Sequence, residues 1–195
     1  VSESRPRKLG VLAVQGAFAA HARALERLGH APALVRQPRD LEGVEGLVLP
    51  GGESTTMLLL LERFGLTAPL ERLVRAGAPV LATCAGLILA ARGVTQPAQR
   101  SFGWLDVDVA RNAWGRQLDS FEARADPPNE HLPLVLIRAP RLTRVGPGVE
   151  VLATYEGEPV LVRAGAITGA TFHPELTASL DVHRAVFGEV GAPVA

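Results

Sequence analysis

The chain holds one cysteine, Cys84, in the stretch Ala82-Thr83-Cys84-Ala85-Gly86, between a short apolar run and a segment that reads as a helix. Small neighbours at such a place permit a sharp strand-to-helix turn that lifts the side chain into a crevice. The helix N-terminus then faces the sulfur, and its dipole and unpaired amides favour the thiolate, the nucleophilic form. A lone cysteine also serves as a small buried apolar residue, so placement by itself leaves Cys84 either structural or reactive. Near the other end, Phe172-His173-Pro174-Glu175 puts a histidine just beyond a predicted strand, with an acid two residues on. In a cysteine hydrolase the base takes the proton of the nucleophile and a carboxylate fixes the base's tautomer. Cys84, His173 and Glu175 supply those three roles for amide cleavage.

Two further segments carry groups that such chemistry needs. In Leu49-Pro50-Gly51-Gly52-Glu53-Ser54 a strand end runs into two glycines, whose backbone N–H groups can stabilise an oxyanion and hold a polar substrate. A plain Gly-Gly turn fits the same residues. No Gly-Lys-Ser/Thr follows and the G-x-G-x-x-G spacing is missing, so neither a phosphate loop nor a dinucleotide fingerprint is present. The stretch Arg111 to Gln117 holds two guanidinium groups, Arg111 and Arg116, which can clamp a carboxylate or simply form surface ion pairs on a hairpin.

The bulk numbers narrow the partners. With 195 residues, 47% hydrophobic and 21% charged, the chain suits one domain, 1–195, with a sizeable core spanning about 9–190. Twenty basic and twenty acidic residues cancel, so no net field favours nucleic acid or an anionic membrane. The segment Val1 to Lys8 lacks the apolar core of a signal peptide and no apolar run approaches a membrane span. A single cysteine forms no internal disulfide and no C-x-x-C metal framework. The expectation is a cytoplasmic protein with no metal.

These groups need a scaffold. Leu9 to Val14 is a buried strand ending at Gln15-Gly16; in Ala17 to Leu28 the residues Phe18, His21, Leu25 and Leu28 recur at helical spacing, and Gly29 follows as a stop. Ala33–Arg36 and Gly46–Leu49 read as strands, Ser54 to Thr56 as the cap of a helix through Phe64, and Pro69–Ala76 as another helix. Pro79–Thr83 is a strand and Ala85–Ala91 a helix. Strands alternating with helices predict a mostly parallel α/β sheet. Later runs at Leu105–Val109, Leu134–Ile137, Val149–Thr154, Val160–Arg163 and Ile167–Phe172 are strand-like, some of them antiparallel, and Ser179–Val190 closes as a helix.

Gln15-Gly16, Pro50 to Thr56, Thr83 to Gly86, Arg111-Asn112 with Gly115-Arg116-Gln117, Ser120-Phe121-Glu122, Ile137 to Pro140 and Phe172 to Thr177 together resemble one family. It is the glutaminase subunit family of pyridoxal 5′-phosphate synthase, within the class I glutamine amidotransferases, and the match spans about residues 9 to 187. The resemblance implies a three-layer α/β/α sandwich of flavodoxin-like type that hydrolyses L-glutamine to glutamate and ammonia through a cysteine thioester, with no cofactor of its own. It implies Cys84, His173 and Glu175 as catalytic residues and Gly52, Glu53, Ser54, Arg111, Ile137 and Arg138 as glutamine contacts. Amides near Gly52 and Ala85 hold the oxyanion in that reading. The implied partner is a (β/α)8-barrel synthase subunit that receives the ammonia, one glutaminase to each, in a large hetero-oligomer. Two positions depart from the pattern: Ala82 stands where glycine is usual, and Trp114 where phenylalanine is common. Alternative readings are the glutaminase of another amidotransferase, such as imidazole glycerol phosphate synthase, and a cysteine-based redox sensor or chaperone.

Overall fold

The computed structural model describes residues 5–111 and 120–191. In chain order these form β1 (Lys8–Leu12), α1 (Phe18–Arg27), β2 (Ala31–Val35), β3 (Gly46–Leu49), α2 (Ser54–Arg63), α3 (Thr67–Arg75), β4 (Val80–Thr83) and α4 (Ala85–Ala90). There follow β5 (Ala91–Thr95), β6 (Leu105–Ala110), β7 (Phe121–Arg124), β8 (Pro133–Leu136), β9 (Arg141–Val145), β10 (Glu150–Tyr155), β11 (Glu158–Ala164), β12 (Ile167–Ala170) and α5 (Asp181–Phe187). A seven-stranded sheet runs β10-β11-β12-β4-β3-β1-β2. The pairings from β2 through β1, β3 and β4 to β12 are parallel. Those of β12 with β11 and of β11 with β10 are antiparallel.

Side chains alternate across a strand, so each short apolar run feeds two cores. Leu9 and Val11 of β1, Val48 of β3 and Leu81 of β4 meet Leu25 of α1 and Val182 and Phe187 of α5 on one face. Leu47 and Leu49 of β3 with Val80 and Ala82 of β4 meet Met57, Leu61, Leu70 and Leu89 from α2, α3 and α4 on the other. This is the mostly parallel sheet that the alternating pattern predicts, in the three-layer α/β/α sandwich that the resemblance implies. Each wholly buried leucine or valine contributes about 1.5–3 kcal/mol relative to exposure, which is why runs of only four residues suffice as central strands.

The second half departs from the sequence expectation. Strands β5, β7 and β9 were not foreseen; they build two small sheets, β5-β6-β9 and β7-β8, outside the main one. β7, Phe-Glu-Ala-Arg, and β9, Arg-Leu-Thr-Arg-Val, alternate partly buried with exposed residues and carry charges, so no apolar run marks them. A second correction concerns α2. Its cap is Glu53, whose carboxylate accepts from the Thr55 and Thr56 amides at 3.3 and 2.6 Å, while Ser54 is already helical and buried. Of the Arg111 to Gln117 stretch only Arg111 is among the described residues; Asn112, Trp114, Gly115, Arg116 and Gln117 lie outside them.

Candidate active site

Cys84 occupies the turn between β4 and α4 with φ 46° and ψ −103°, a conformation rarely adopted outside glycine. Hydrogen bonds on both sides hold it there. The Cys84 amide donates to the Ala170 carbonyl at 2.8 Å, and the Cys84 carbonyl accepts from the Ile88 amide at 3.1 Å. The Gly86 amide donates to the Pro50 carbonyl at 3.1 Å, and a Cβ on Gly86 would overlap the carbonyl of Leu49. The helix therefore sits directly on the end of β3, which aims the elbow at the carboxyl edge of the sheet. Ligands bind at that edge in open α/β folds. The thiol is 6% exposed, with Sγ 3.9 Å from the Ile137 carbonyl.

His173 follows β12, the strand beside β4, and its amide donates to the Val135 carbonyl at 2.8 Å. Its ring packs against Gly51, where any Cβ would overlap the imidazole. The structure thus gives Gly51 a steric reason: a side chain there would displace the ring. His173 Nδ1 stands 2.7 Å from Glu175 Oε1, and both groups are buried. Burial alone would depress the pKa of His173. Hydrogen bonding to the Cys84 sulfur and to Glu175, together with their charge, outweighs burial and pushes it up to about 10.

Behind Glu175 lies a group that the sequence reading had counted only as part of a helix stripe. His21 of α1 is wholly buried, its Nε2 3.3 Å from Glu175 Oε2 and 3.1 Å from Thr83 Oγ1. Its Nδ1 is 2.9 Å from Nε2 of His183 on α5, also wholly buried. Desolvation, with His183 and His173 nearby, holds His21 well below its ordinary value, and burial lowers His183 to about 4. The signal that could have found them is a polar ring on the buried face of a helix.

In front of the sulfur an open cleft is lined by Gly52, Glu53, Ser54, Cys84, Ile88, Arg111, Ile137 and Arg138. Every residue expected to contact substrate is in that lining, although they come from three separate stretches of chain. Ala85, 1% exposed, begins α4 beside the sulfur and is not in the lining. Arg111 Nη2 meets Glu53 Oε1 at 3.2 Å. Burial would raise the Glu53 pKa, but the amides of Thr56 and Thr55 and the charge of Arg111 prevail and lower it. The lining thus holds two cations, Arg111 and Arg138, and one anion, Glu53. Three contributors had not been singled out for the site. Ile88 is apolar lining, Gln15 Oε1 accepts the Glu53 amide at 2.8 Å, and Gln99 Oε1 accepts the Ser54 hydroxyl at 2.9 Å. Among the described residues no group of three or more His, Cys, Asp or Glu is placed to hold a metal ion.

A cysteine at a strand-to-helix elbow beside a polar cleft, with a histidine just beyond the neighbouring strand, is an arrangement that fits the glutamine amidotransferases. A crystal structure of a glutamine amidotransferase superposes with a TM-score of 0.84 at 42% identity, covering 91% of this chain and 96% of that one. The chain belongs to the SNO glutamine amidotransferase family, whose profile matches residues 11–190, and is an enzyme of that class. A protein of Solibacter usitatus named pyridoxal 5′-phosphate synthase subunit PdxT is 52% identical over 186 residues, covering 91% of this chain and 96% of its own. One of the same name from Desulforudis audaxviator is 46% identical over 180 residues, covering 91% and 95%. Among the described residues no helix is long and apolar enough to cross a membrane.

Proposed function

We propose that the chain is the glutaminase subunit of a pyridoxal 5′-phosphate synthase, a single amidotransferase domain that hydrolyses L-glutamine and hands ammonia to a (β/α)8-barrel subunit. What supports the chemistry is the His173–Glu175 pair at 2.7 Å, its electrostatic coupling to Cys84, and a cleft in front of the sulfur that pairs Arg111 with Glu53. The likeness to the PdxT proteins supports the pathway and the partner. One glutaminase per synthase subunit, and the cytoplasm as the site of work, complete the reading; an unpaired catalytic thiol suits a reducing compartment.

Arg111 takes the α-carboxylate of glutamine, with Glu53, Ser54 and the Ile137-Arg138 backbone framing the rest of the amino acid. The Cys84 thiolate attacks the carboxamide carbon, and the oxygen that becomes negative is met by the amides of Gly52 and Ala85. Ala85 heads α4, so its N–H has no intrahelical acceptor. His173, protonated and oriented by Glu175, delivers its proton to the nitrogen as the C–N bond breaks and ammonia leaves. The γ-glutamyl thioester remains. Neutral His173 then takes a proton from water, whose oxygen attacks the thioester. The sulfur departs as thiolate, glutamate is released and the imidazolium is restored.

Steady-state glutamine hydrolysis, with the barrel subunit present, tests this. Cys84→Ala should abolish turnover while the circular dichroism spectrum is unchanged, and a glutamine-analogue electrophile should add once to the wild type and not to the variant. Undiminished hydrolysis by Cys84→Ala would end the proposal.

A further inference from the structure

Behind the proposed triad a wholly buried pair of histidines reaches the far oxygen of its carboxylate, and the mechanism just given does not use them. Glu175 Oε1 belongs to His173; Oε2 is buried, makes no hydrogen bond of regular geometry among the described residues, and has His21 Nε2 as a charge-contact neighbour at 3.3 Å. An ionised carboxylate only accepts, so an attractive contact there requires a hydrogen on His21 Nε2, shared between Oε2 and the Thr83 hydroxyl oxygen at 3.1 Å. In the opposite tautomer the Nε2 lone pair would face a carboxylate oxygen in a buried site. The choice propagates outward. With Nε2 protonated, neutral His21 accepts at Nδ1, so His183 must donate from its Nε2 across 2.9 Å. That leaves His183 Nδ1 as a bare lone pair, and this atom is buried without a partner among the described residues, whereas the opposite tautomer would strand an N–H donor there.

The groups facing His21 are few: Glu175 from the turn after His173, Thr83 from β4, His183 from α5, and His173 across the carboxylate. None but Glu175 carries negative charge. Burial keeps both His21 and His183 neutral at working pH.

Resting on the amidotransferase reading, we propose that His21, locked in one tautomer by His183, is a positioning residue that holds the second oxygen of Glu175 so that the first faces His173. A neutral donor suits the task because it fixes the carboxylate without cancelling the charge that His173 depends on. A lysine or arginine there would hold Glu175 as firmly and compete with His173 for its field.

The test uses the chain with its barrel partner and compares wild type, His21→Leu and His21→Gln. Leucine fills the space without a donor, whereas the glutamine amide can restore one near the position of Nε2. His21→Leu should lose about ten- to a hundredfold in kcat, the range for removing a hydrogen bond to a charged group, with KM within about twofold. The alkaline limb of its rate profile, set by His173, should move to lower pH. His21→Gln should recover most of both. In His21→Leu, an unchanged kcat and limb, or a loss confined to thermal stability, would overturn the proposal. Nitrogen-15 NMR of wild-type imidazoles gives a readout that needs no variant. It should find His21 neutral and protonated at Nε2, and protonation at Nδ1 instead would overturn the positioning role. Failure of the wild type to react with the glutamine-analogue electrophile would instead bring down the amidotransferase reading itself. Normal wild-type labelling with an inert His21→Leu effect brings down the positioning role alone.

Discussion

His173 and His21 approach the two oxygens of one carboxylate, at 2.7 and 3.3 Å, yet burial and charge drive them in opposite directions. His173 is held protonated up to about 10, while His21 is held neutral far below its ordinary value. Both are buried, so desolvation opposes charge at each. The difference lies on the other side of each ring. His173 has the Cys84 sulfur there; His21 has His183 and Thr83, which bring no anion. A shared carboxylate is therefore insufficient to hold a buried imidazolium, and a second anion-forming group tips the balance. The front of the site is built to carry charge and the back to carry none.

Replacing the shared group strikes both regions and should have the largest effect. Glu175→Gln keeps shape but offers one acceptor and one donor, so whichever way the amide turns, one histidine meets the wrong partner. By comparison with the loss of an orienting acid in other triads, kcat should fall about 10³- to 10⁴-fold with the fold retained. The His173 titration should move down toward the 6.5 of a free ring. Steady-state kinetics and imidazole NMR check this, and a loss below about tenfold would mean that Glu175 does not orient His173.

Stability against pH should separate the two regions by sign. The folded pKa of His173 lies above its unfolded value, so its contribution is complete below about 6.5 and is lost as pH rises through about 10. For His183 the folded value, about 4, lies below the unfolded one, so its contribution is present above about 6.5 and lost as pH falls toward 4. Urea titrations across this range should show His173→Gln losing the alkaline decline seen in wild type. His183→Gln should lose part of the acid decline. Identical pH slopes in wild type and His173→Gln would mean that the imidazolium is no more stable in the fold than in water.

The same contrast governs what the sequence could disclose. Cys84, His173 and Glu175 stand out as candidates because they follow apolar runs, where α/β sheets present chemistry, and Gly52 to Ser54 and Arg111 because they are polar breaks in such a pattern; Ile137 and Arg138 enter only through the family resemblance. His21 and His183 were illegible as site residues. They occupy buried helix faces, where periodicity marks a position as interior without saying what it touches. β3 and β4 match the expected runs to within one residue and β1 and β2 to within two, since these parallel strands are mostly apolar in sequence. β5, β7 and β9 were not, because a peripheral strand that leaves half its residues in water carries charges and looks like loop. Glu53 was read as a substrate contact and Ser54 as the cap. The roles overlap because a carboxylate is long enough to reach its own helix amides, which sequence alone does not weigh against the serine.

A smaller effect is expected at Glu53, which touches neither histidine. It caps α2 through Thr55 and Thr56, and its Oε1 also meets Arg111 at the cleft wall. Glu53→Ala should cost about 1 kcal/mol of stability from the lost cap, a melting shift of roughly 2–4 °C in a chain of this size. KM for glutamine should rise, since Arg111 loses the carboxylate that aims it. The alkaline limb of the rate profile should stay where it is in wild type, because nothing on either side of Glu175 has changed. Thermal melts and a kcat and KM series over pH measure all three. A displaced limb in Glu53→Ala would show that the charge of the cleft wall reaches His173, and that the front of the site is a wider electrostatic unit than the sulfur, the ring and the one carboxylate behind it.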